Sequence, residues 1–142
     1  MSGVLVGKLR RRAEVFLKEA KRLLEGEEYD IACFNAEQAL QLYLKSVILR
    51  VFGEMPRIHG VRELLGYLAR RLYEEEEYKG YAAILKEFTR ENRYSLSVLE
   101  DAYIDARYTT RGFSKREVKD SLTTVYKLIE LLRRIENEIW MG

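Results

Sequence analysis

Apolar side chains recur every three or four residues through most of the chain, which is the spacing that places them on one face of a helix. Pro56 is the only proline, so few helix breakers interrupt this pattern. The pattern therefore predicts an all-α protein. We expect a bundle of about four to five helices. A single domain over residues 1–142 is predicted, because no linker or low-complexity tract divides the chain.

The segment from Tyr29 to Phe52 is predicted to be the central helix, because it is apolar on two opposite sides. One side carries Ile31, Phe34, Gln38, Leu42, Lys45, Leu49 and Phe52, and the other carries Tyr29, Cys33, Ala36, Leu40, Tyr43 and Val47. Such a helix must be covered twice, either by other helices alone or by helices and a second subunit. This feature favours a homodimer.

Glycine and acidic residues mark the ends of the first three predicted helices. The first helix stops at Gly26, a residue type that favours helix C-termini. Residues 53–60 form the clearest loop, and a shorter helix follows from Val61 to Leu72. The acidic run Glu74–Glu77 favours the start of a helix over its end, because it complements the positive end of the helix dipole.

The second half of the chain predicts one long helix with a kink and then a last helix. Ile84, Leu85 and Phe88 begin the kinked helix, which bends near Asn92 and resumes through Ala106. Residues 109–113 form a second loop. Ser114 and Glu117 have the spacing of a capping box, so the last helix is predicted to begin there and to run to about Ile139.

Composition narrows the classes of protein to consider. A net charge of +2 gives no general attraction to nucleic acid, so a nucleic-acid site would need a local cluster. The many charged residues, with more Arg than Lys, resemble the ion-pair surface of a thermophile protein. The single Cys33 is predicted to be a core residue, with a reactive thiol as the alternative. Without a membrane-length apolar run or a secretory signal, a cytoplasmic protein is expected.

Three groups of polar residues are candidates for a ligand site. Gln38 and Lys45 lie within an apolar stripe, where they either bind a polar ligand or are structural, Gln38 bonding to another helix and Lys45 extending to solvent. His59, the only histidine, precedes the third helix and either contacts a ligand or caps that helix. No spacing of His59 with other ligands predicts a metal site.

The third candidate group surrounds Arg107. Tyr103 and Arg107 are four residues apart and share a helix face, while Tyr108 and Arg111 follow at the loop edge. Guanidinium groups bind phosphate through a planar fork, and tyrosine rings stack on bases. This group therefore predicts a nucleotide or RNA contact. The alternative is a solvated charge cluster with amphipathic tyrosines.

The chain resembles a HEPN domain (higher eukaryotes and prokaryotes nucleotide-binding) of the small stand-alone prokaryotic group. The stretches that carry the resemblance are Tyr29 to Lys45, His59 to Leu65, Tyr103 to Tyr108 and the helix after Ser114. The resemblance implies an up-and-down helical bundle that often dimerises. It also implies frequent pairing with a minimal nucleotidyltransferase in a toxin–antitoxin-like module.

The chain departs from this family at positions that matter for activity. Asn35, Gln41 and Leu42 stand where His, Glu and Lys are common. HEPN ribonucleases carry a His a few residues after an Arg, but no His follows Arg107. RNA cleavage without a metal needs a group that moves a proton near neutral pH, and we expect no such side chain beside Arg107. The sequence therefore predicts no catalytic residue and no cofactor.

The preferred hypothesis is a non-catalytic nucleotide- or RNA-binding subunit that works with a nucleotidyltransferase partner. One alternative is a toxin-like, metal-independent ribonuclease with paired Arg107 residues across a dimer cleft, where Tyr108 or His59 replaces the missing base. Another alternative is a scaffold that binds a protein through the exposed face of the helix Tyr29–Phe52.

Overall fold

The computed structural model describes residues 2–141, which contain six α-helices and no strand. They are α1 (Ser2–Glu25), α2 (Tyr29–Phe52), α3 (Val61–Tyr73), α4 (Lys79–Glu91), α5 (Arg93–Tyr108) and α6 (Lys115–Met141), with a short 3₁₀ turn at Glu76–Tyr78. Met1 and Gly142, which the predicted domain includes, lie outside the described residues. The all-α bundle is confirmed.

Helix α2 lies at the centre of the bundle and packs against α1, α3, α5 and α6. Leu40, Leu44 and Ile48 are fully buried along it. Its two apolar sides are covered because other helices of the same chain lie on both. We based the homodimer prediction on a face of α2 that the other helices would leave uncovered. Such a face is mostly absent, so the homodimer prediction needs another basis.

The kinked helix that we predicted around Asn92 consists of two separate helices, α4 and α5. Asn92 lies between them with φ −114° and ψ 25°, outside the helical range. Its Nδ2 group donates to the Phe88 carbonyl oxygen at 2.9 Å, and its Oδ1 accepts a hydrogen bond from Thr124 at 3.4 Å. Asparagine ends the helix because its side chain competes with the backbone for hydrogen bonds. This division gives six helices where we expected at most five.

The first two helices end at residues whose backbone is in the left-handed conformation. Gly53 has φ 70° and donates its N–H to the Leu49 carbonyl, which closes α2. A glycine suits this conformation because it has no Cβ to clash. After α1, however, the left-handed residue is Glu27, with φ 64°, and not the neighbouring Gly26 that we predicted as the cap.

A buried carboxylate joins three helices on the side of the bundle away from α3. Glu136 of α6 is 2% exposed and pairs with Arg10 of α1 and with Arg50 of α2, the latter at 3.1 Å. Arg10 also donates from Nε to Ser46 Oγ at 3.1 Å. We call these three charged residues the Glu136 clamp. It fixes α1 and α6 against α2 through charge-assisted hydrogen bonds.

The predicted capping box at the start of α6 is present. Ser114 Oγ accepts a hydrogen bond from the Glu117 N–H at 3.1 Å, and Glu117 Oε1 accepts one from the Ser114 N–H at 3.0 Å. We expect Ser114→Ala to lower the free energy of unfolding by about 1 kcal/mol, measured by urea denaturation. Thr123→Ala, within the same helix, is the control and should cost less, because that hydroxyl caps no helix end. Equal losses would contradict the prediction.

Candidate functional site

Four polar side chains of α2 form a hydrogen-bonded row. Glu37 accepts hydrogen bonds from Gln38 Nε2 at 2.7 Å and from Gln41 Nε2 at 2.9 Å. Lys45 donates to Gln41 Oε1 at 3.2 Å. We call Glu37, Gln38, Gln41 and Lys45 the polar row. It brings two predicted site residues, Gln38 and Lys45, into one network with two that we did not predict.

Glu37 is the least accessible member of the polar row, with 0% exposure. Burial raises the pKa of its carboxyl group from 4.5 to about 7, because the charged form loses its hydration. The amide hydrogen bonds from Gln38 and Gln41 and the positive charge of Arg107 act in the opposite direction on this pKa. Glu37 therefore exchanges a proton close to neutral pH.

His59 lies at the other end of the polar row. Its Nδ1 is 3.3 Å from Lys45 Nζ and 3.4 Å from Gln41 Oε1. The pKa of Lys45 is lowered because the side chain is partly buried. The cap of α3 is Gly60, and no side chain caps that helix, so our alternative interpretation of His59 as its cap is wrong. The 53–60 loop instead returns the ring to the middle of α2.

Arg107 lies near the end of α5 among three aromatic rings. Its guanidinium carbon is 4.6 Å from the ring centre of Phe34, 5.0 Å from that of Tyr103 and 4.8 Å from that of Tyr108. Its Nε donates to the Tyr103 carbonyl at 3.0 Å. Although Arg107 is exposed, it forms no ion pair with any residue from 2 to 141. We call these four residues the Arg107 cluster.

Arg111 has a different environment from Arg107. It forms ion pairs with Asp101 at 3.6 Å and with Glu117 at 3.4 Å, and its guanidinium carbon lies 3.9 Å from the Phe113 ring centre. The adjoining loop is fixed to α2, because Asp30 accepts a hydrogen bond from the Phe113 N–H at 3.0 Å. The structure therefore places Arg111 within a network of carboxylates, whereas Arg107 forms no ion pair with the residues that the structure describes.

The polar row and the Arg107 cluster lie side by side. Phe34 of the cluster precedes Gln38 by four residues, so both lie on one face of α2. The positive charge of Arg107 lowers the pKa of Glu37, against the larger effect of burial. The structure thus brings Gln38, Lys45 and His59 into one network and Tyr103, Arg107 and Tyr108 into a second, adjacent one.

Glu37, Gln41 and Phe34 were not predicted as site residues. The available signal was the spacing of Glu37, Gln41 and Lys45, which repeats every four residues in a helix that is otherwise mostly apolar. We also expected no side chain near Arg107 that could move a proton at neutral pH. Glu37 has a pKa of about 7 but is fully buried, so the expectation stays a prediction for the exposed surface around Arg107.

Residues 2–141 offer little support for a metal site, a reactive thiol or a membrane span. No three His, Cys, Asp or Glu side chains within this range are grouped so that they could hold a metal ion. Cys33 is fully buried, and burial raises the pKa of its thiol to about 12, so it stays protonated and unreactive as a core residue. No helix in the same range is both long and apolar enough to cross a membrane.

The structure is an all-α helical bundle that carries a cationic, aromatic candidate site. The chain matches the HEPN domain over residues 6–135, and it belongs to the HEPN domain family. A search among curated proteins gives no match. Family membership indicates a function related to nucleotides or RNA.

Proposed function

We propose that this protein is a non-catalytic subunit that binds a nucleotide or RNA through Arg107, Tyr103 and Tyr108. The observation that carries this proposal is the exposed guanidinium of Arg107, which is framed by three aromatic rings and has no carboxylate partner within residues 2–141. An exposed arginine with unused N–H donors suits a phosphate group.

The surroundings of Arg107 hold its side chain in place before a ligand arrives. Its Nε and Nη2 atoms donate to the Tyr103 carbonyl, so the guanidinium plane is already oriented. The Tyr108 ring is 72% exposed and offers a face on which a base can stack. A preorganised arginine next to an exposed aromatic ring loses less side-chain freedom on binding.

The remaining predicted site residues have supporting roles in this proposal. Gln38, Lys45 and His59 provide polar groups at the far end of the same surface, where they bind sugar or phosphate oxygens. Arg111 keeps its two carboxylate partners and fixes the loop that follows Tyr108. The proposed ligand contact is therefore centred on Arg107.

The proposed assembly is a cytoplasmic homodimer that works with a nucleotidyltransferase partner. Support for the dimer comes from Ile31, which is 41% exposed, and Ile104, which is 48% exposed. Both precede cluster residues by three positions, Phe34 and Arg107, and so lie next to the Arg107 cluster. An apolar patch beside a cationic site suits an interface between two copies that also share a ligand.

We propose a non-catalytic role because Glu37, the side chain best suited to move a proton near neutral pH, does not reach the surface. Glu37 has a pKa of about 7 but is 0% exposed, so it does not contact a ligand at Arg107 without a rearrangement of α2. A metal-independent ribonuclease is the second candidate, and the pKa of Glu37 is the observation that favours it. In that mechanism Glu37 takes up the proton of the ribose 2′-hydroxyl, whose oxygen bonds to the phosphorus while the bond to the 5′-oxygen breaks, which leaves a 2′,3′-cyclic phosphate. Arg107 stabilises the negative charge on the phosphate oxygens, and the protonated Glu37 gives its proton to the departing 5′-oxygen.

Arg107→Ala should weaken the binding of a short RNA by roughly 1–3 kcal/mol, or about 5- to 150-fold, because a charge-assisted contact and stacking are lost. Fluorescence anisotropy measures the affinity, and thermal unfolding checks the fold. Arg134→Ala is the matched control, since Arg134 is also an exposed arginine outside the ion pairs of residues 2–141. Unchanged affinity together with a lowered melting temperature would show that Arg107 has a structural role.

A cleavage assay separates the two candidate functions. We expect nuclease-free protein to leave single-stranded RNA intact between about pH 6 and pH 8, the range around the pKa of Glu37. Cleavage that both Arg107→Ala and Glu37→Gln abolish would establish the ribonuclease.

A further inference from the structure

A second cationic surface lies between α3 and α4, outside the proposed site. It is an open groove of about 260 Å³. The positive side chains of Arg62, Arg70 and Lys86 line it, and no acidic residue among those described does so. Arg70 and Lys86 are exposed and form no ion pair within residues 2–141. We call this the α3–α4 groove.

The α3–α4 groove continues the proposed ligand surface. Arg62 forms an ion pair with Glu100 of α5, so it belongs to the groove and also contacts α5. Glu100, Tyr103 and Arg107 follow each other at intervals of three and four residues, which places them along one face of α5. Glu100, whose charge is paired with Arg62, therefore lies between Arg107 and the groove, and the exposed carboxyl group of Glu63 lies beside it.

The shape of the groove suits a passing strand better than a small molecule. A volume of about 260 Å³ is below the roughly 300–1,000 Å³ of pockets that enclose small ligands. Arg62 and Arg70 are eight positions apart, which is about 12 Å along a helix.

The floor and one end of the groove also suit RNA. Gly66 lies on the floor, and a Cβ added there would have no other atom within 4 Å, so packing within the chain does not require a glycine. Tyr73 lies at the end of α3, is 55% exposed and has the amino groups of Lys79 and Lys86 over its ring at 4.9 Å and 5.7 Å. Lys79 is paired with Glu76 at 2.9 Å, so Lys86 is the lysine that supplies a phosphate contact, next to the stacking surface of the exposed ring.

From this placement we infer that the α3–α4 groove binds the phosphate backbone of a single-stranded RNA whose adjoining nucleotide lies on Arg107. This inference rests on the proposed function, and it makes the ligand an oligonucleotide instead of a free nucleotide. The protein should therefore distinguish RNA by length. Contacts in the groove add to those at Arg107 only when the strand is long enough to reach both.

The test compares oligouridylates of about two and about ten nucleotides by fluorescence anisotropy, at roughly 50 and 200 mM salt. Arg70→Ala and Lys86→Ala should each weaken binding of the longer RNA by roughly fivefold. Each should also reduce the slope of log affinity against log salt concentration by about one, because one fewer counterion is released. The shorter RNA should bind the variants and the unmodified protein equally. Arg134→Ala and Lys127→Ala, which replace exposed cations of α6, are the matched controls and should have no effect.

Gly66→Gln provides a variant that fills the groove without removing a charge. Folding should not suffer, because the added side chain has space and glutamine favours a helix more than glycine does. Weaker binding of the longer RNA alone would support the inference. Unchanged binding of both RNAs would overturn it.

Other outcomes separate the groove from the proposed site. If Arg107→Ala weakens both RNAs while the groove variants weaken neither, the groove inference is wrong and the proposed function stands. Equal losses in the α6 controls would show general charge attraction, which overturns the inference. A polyglutamate peptide that competes as well as the longer RNA would assign the groove to an acidic protein partner. If the unmodified protein binds neither RNA, the groove inference is wrong, and the proposed function then depends on whether a free nucleotide binds and Arg107→Ala weakens that binding.

Discussion

Glu37→Gln should remove a pH dependence from the folding stability of this protein. The carboxyl group has a pKa of about 7 in the folded protein and 4.5 as the reference for an exposed glutamate. Between these values the folded protein holds a proton that the unfolded chain has released, so stability falls as the pH rises. The stabilising contribution of this proton is complete below about pH 4.5 and is lost as the pH passes through about 7.

The expected size follows from the difference between the two pKa values. A difference of this size corresponds to roughly 3 kcal/mol at about 1.4 kcal/mol per pKa unit. The unmodified protein should therefore lose roughly 3 kcal/mol of stability relative to Glu37→Gln between about pH 4 and about pH 8. The variant gains in relative stability at high pH. Urea denaturation at several pH values measures it. A difference that stays constant over this range would show that Glu37 is solvated in the folded state.

Glu136→Gln should be among the most destabilising substitutions of a charged residue. The Glu136 side chain is 3% exposed, and its loss of charge leaves Arg10 and Arg50 without their partner. Breaking a buried pair costs roughly 3–5 kcal/mol, but Arg50 is 42% exposed and water compensates part of the loss. We therefore expect a decrease of roughly 2–4 kcal/mol in the free energy of unfolding, measured by urea denaturation.

The same helix offers a matched control for Glu136. Glu130 pairs with Arg133 at 3.1 Å, but both side chains are more than half exposed. Surface pairs of this kind are worth roughly 0–1 kcal/mol, so Glu130→Gln should change stability little. Similar losses for the two variants would mean that the Glu136 clamp contributes no more than a surface ion pair.

The sequence predicted the helices well because their signals are local. The spacing of apolar residues located α1, α2, α3 and α6, and the capping box at Ser114 located the start of α6. The separation of α4 from α5 was predicted only as a kink. Whether a helix bends or ends at Asn92 depends on what its side chain contacts, and one partner, Thr124, lies 32 positions away.

The candidate site was only partly predictable for the same reason. Arg107 and its tyrosines are close in sequence, so their shared helix face could be inferred from spacing. The contact with Phe34 joins α5 to α2, and the contact of His59 with Lys45 depends on how the 53–60 loop folds back. The pKa of Glu37 depends on complete burial, which no spacing rule gives for a glutamate beside a glutamine.

Helix α4 has fewer buried contacts than α2, and this difference should affect the hydrogen exchange of its amides. Only Ala82 and Leu85 of this helix are buried, and it packs mainly against α3, whereas α2 contacts four helices. Amide protons of α4 should therefore exchange through local opening at a lower free energy than those of α2. Lys86 belongs to α4, so RNA bound in the α3–α4 groove would tie this helix to α3 and slow its exchange. The amides of α4 would then report occupancy of the groove while those of α2 report global unfolding.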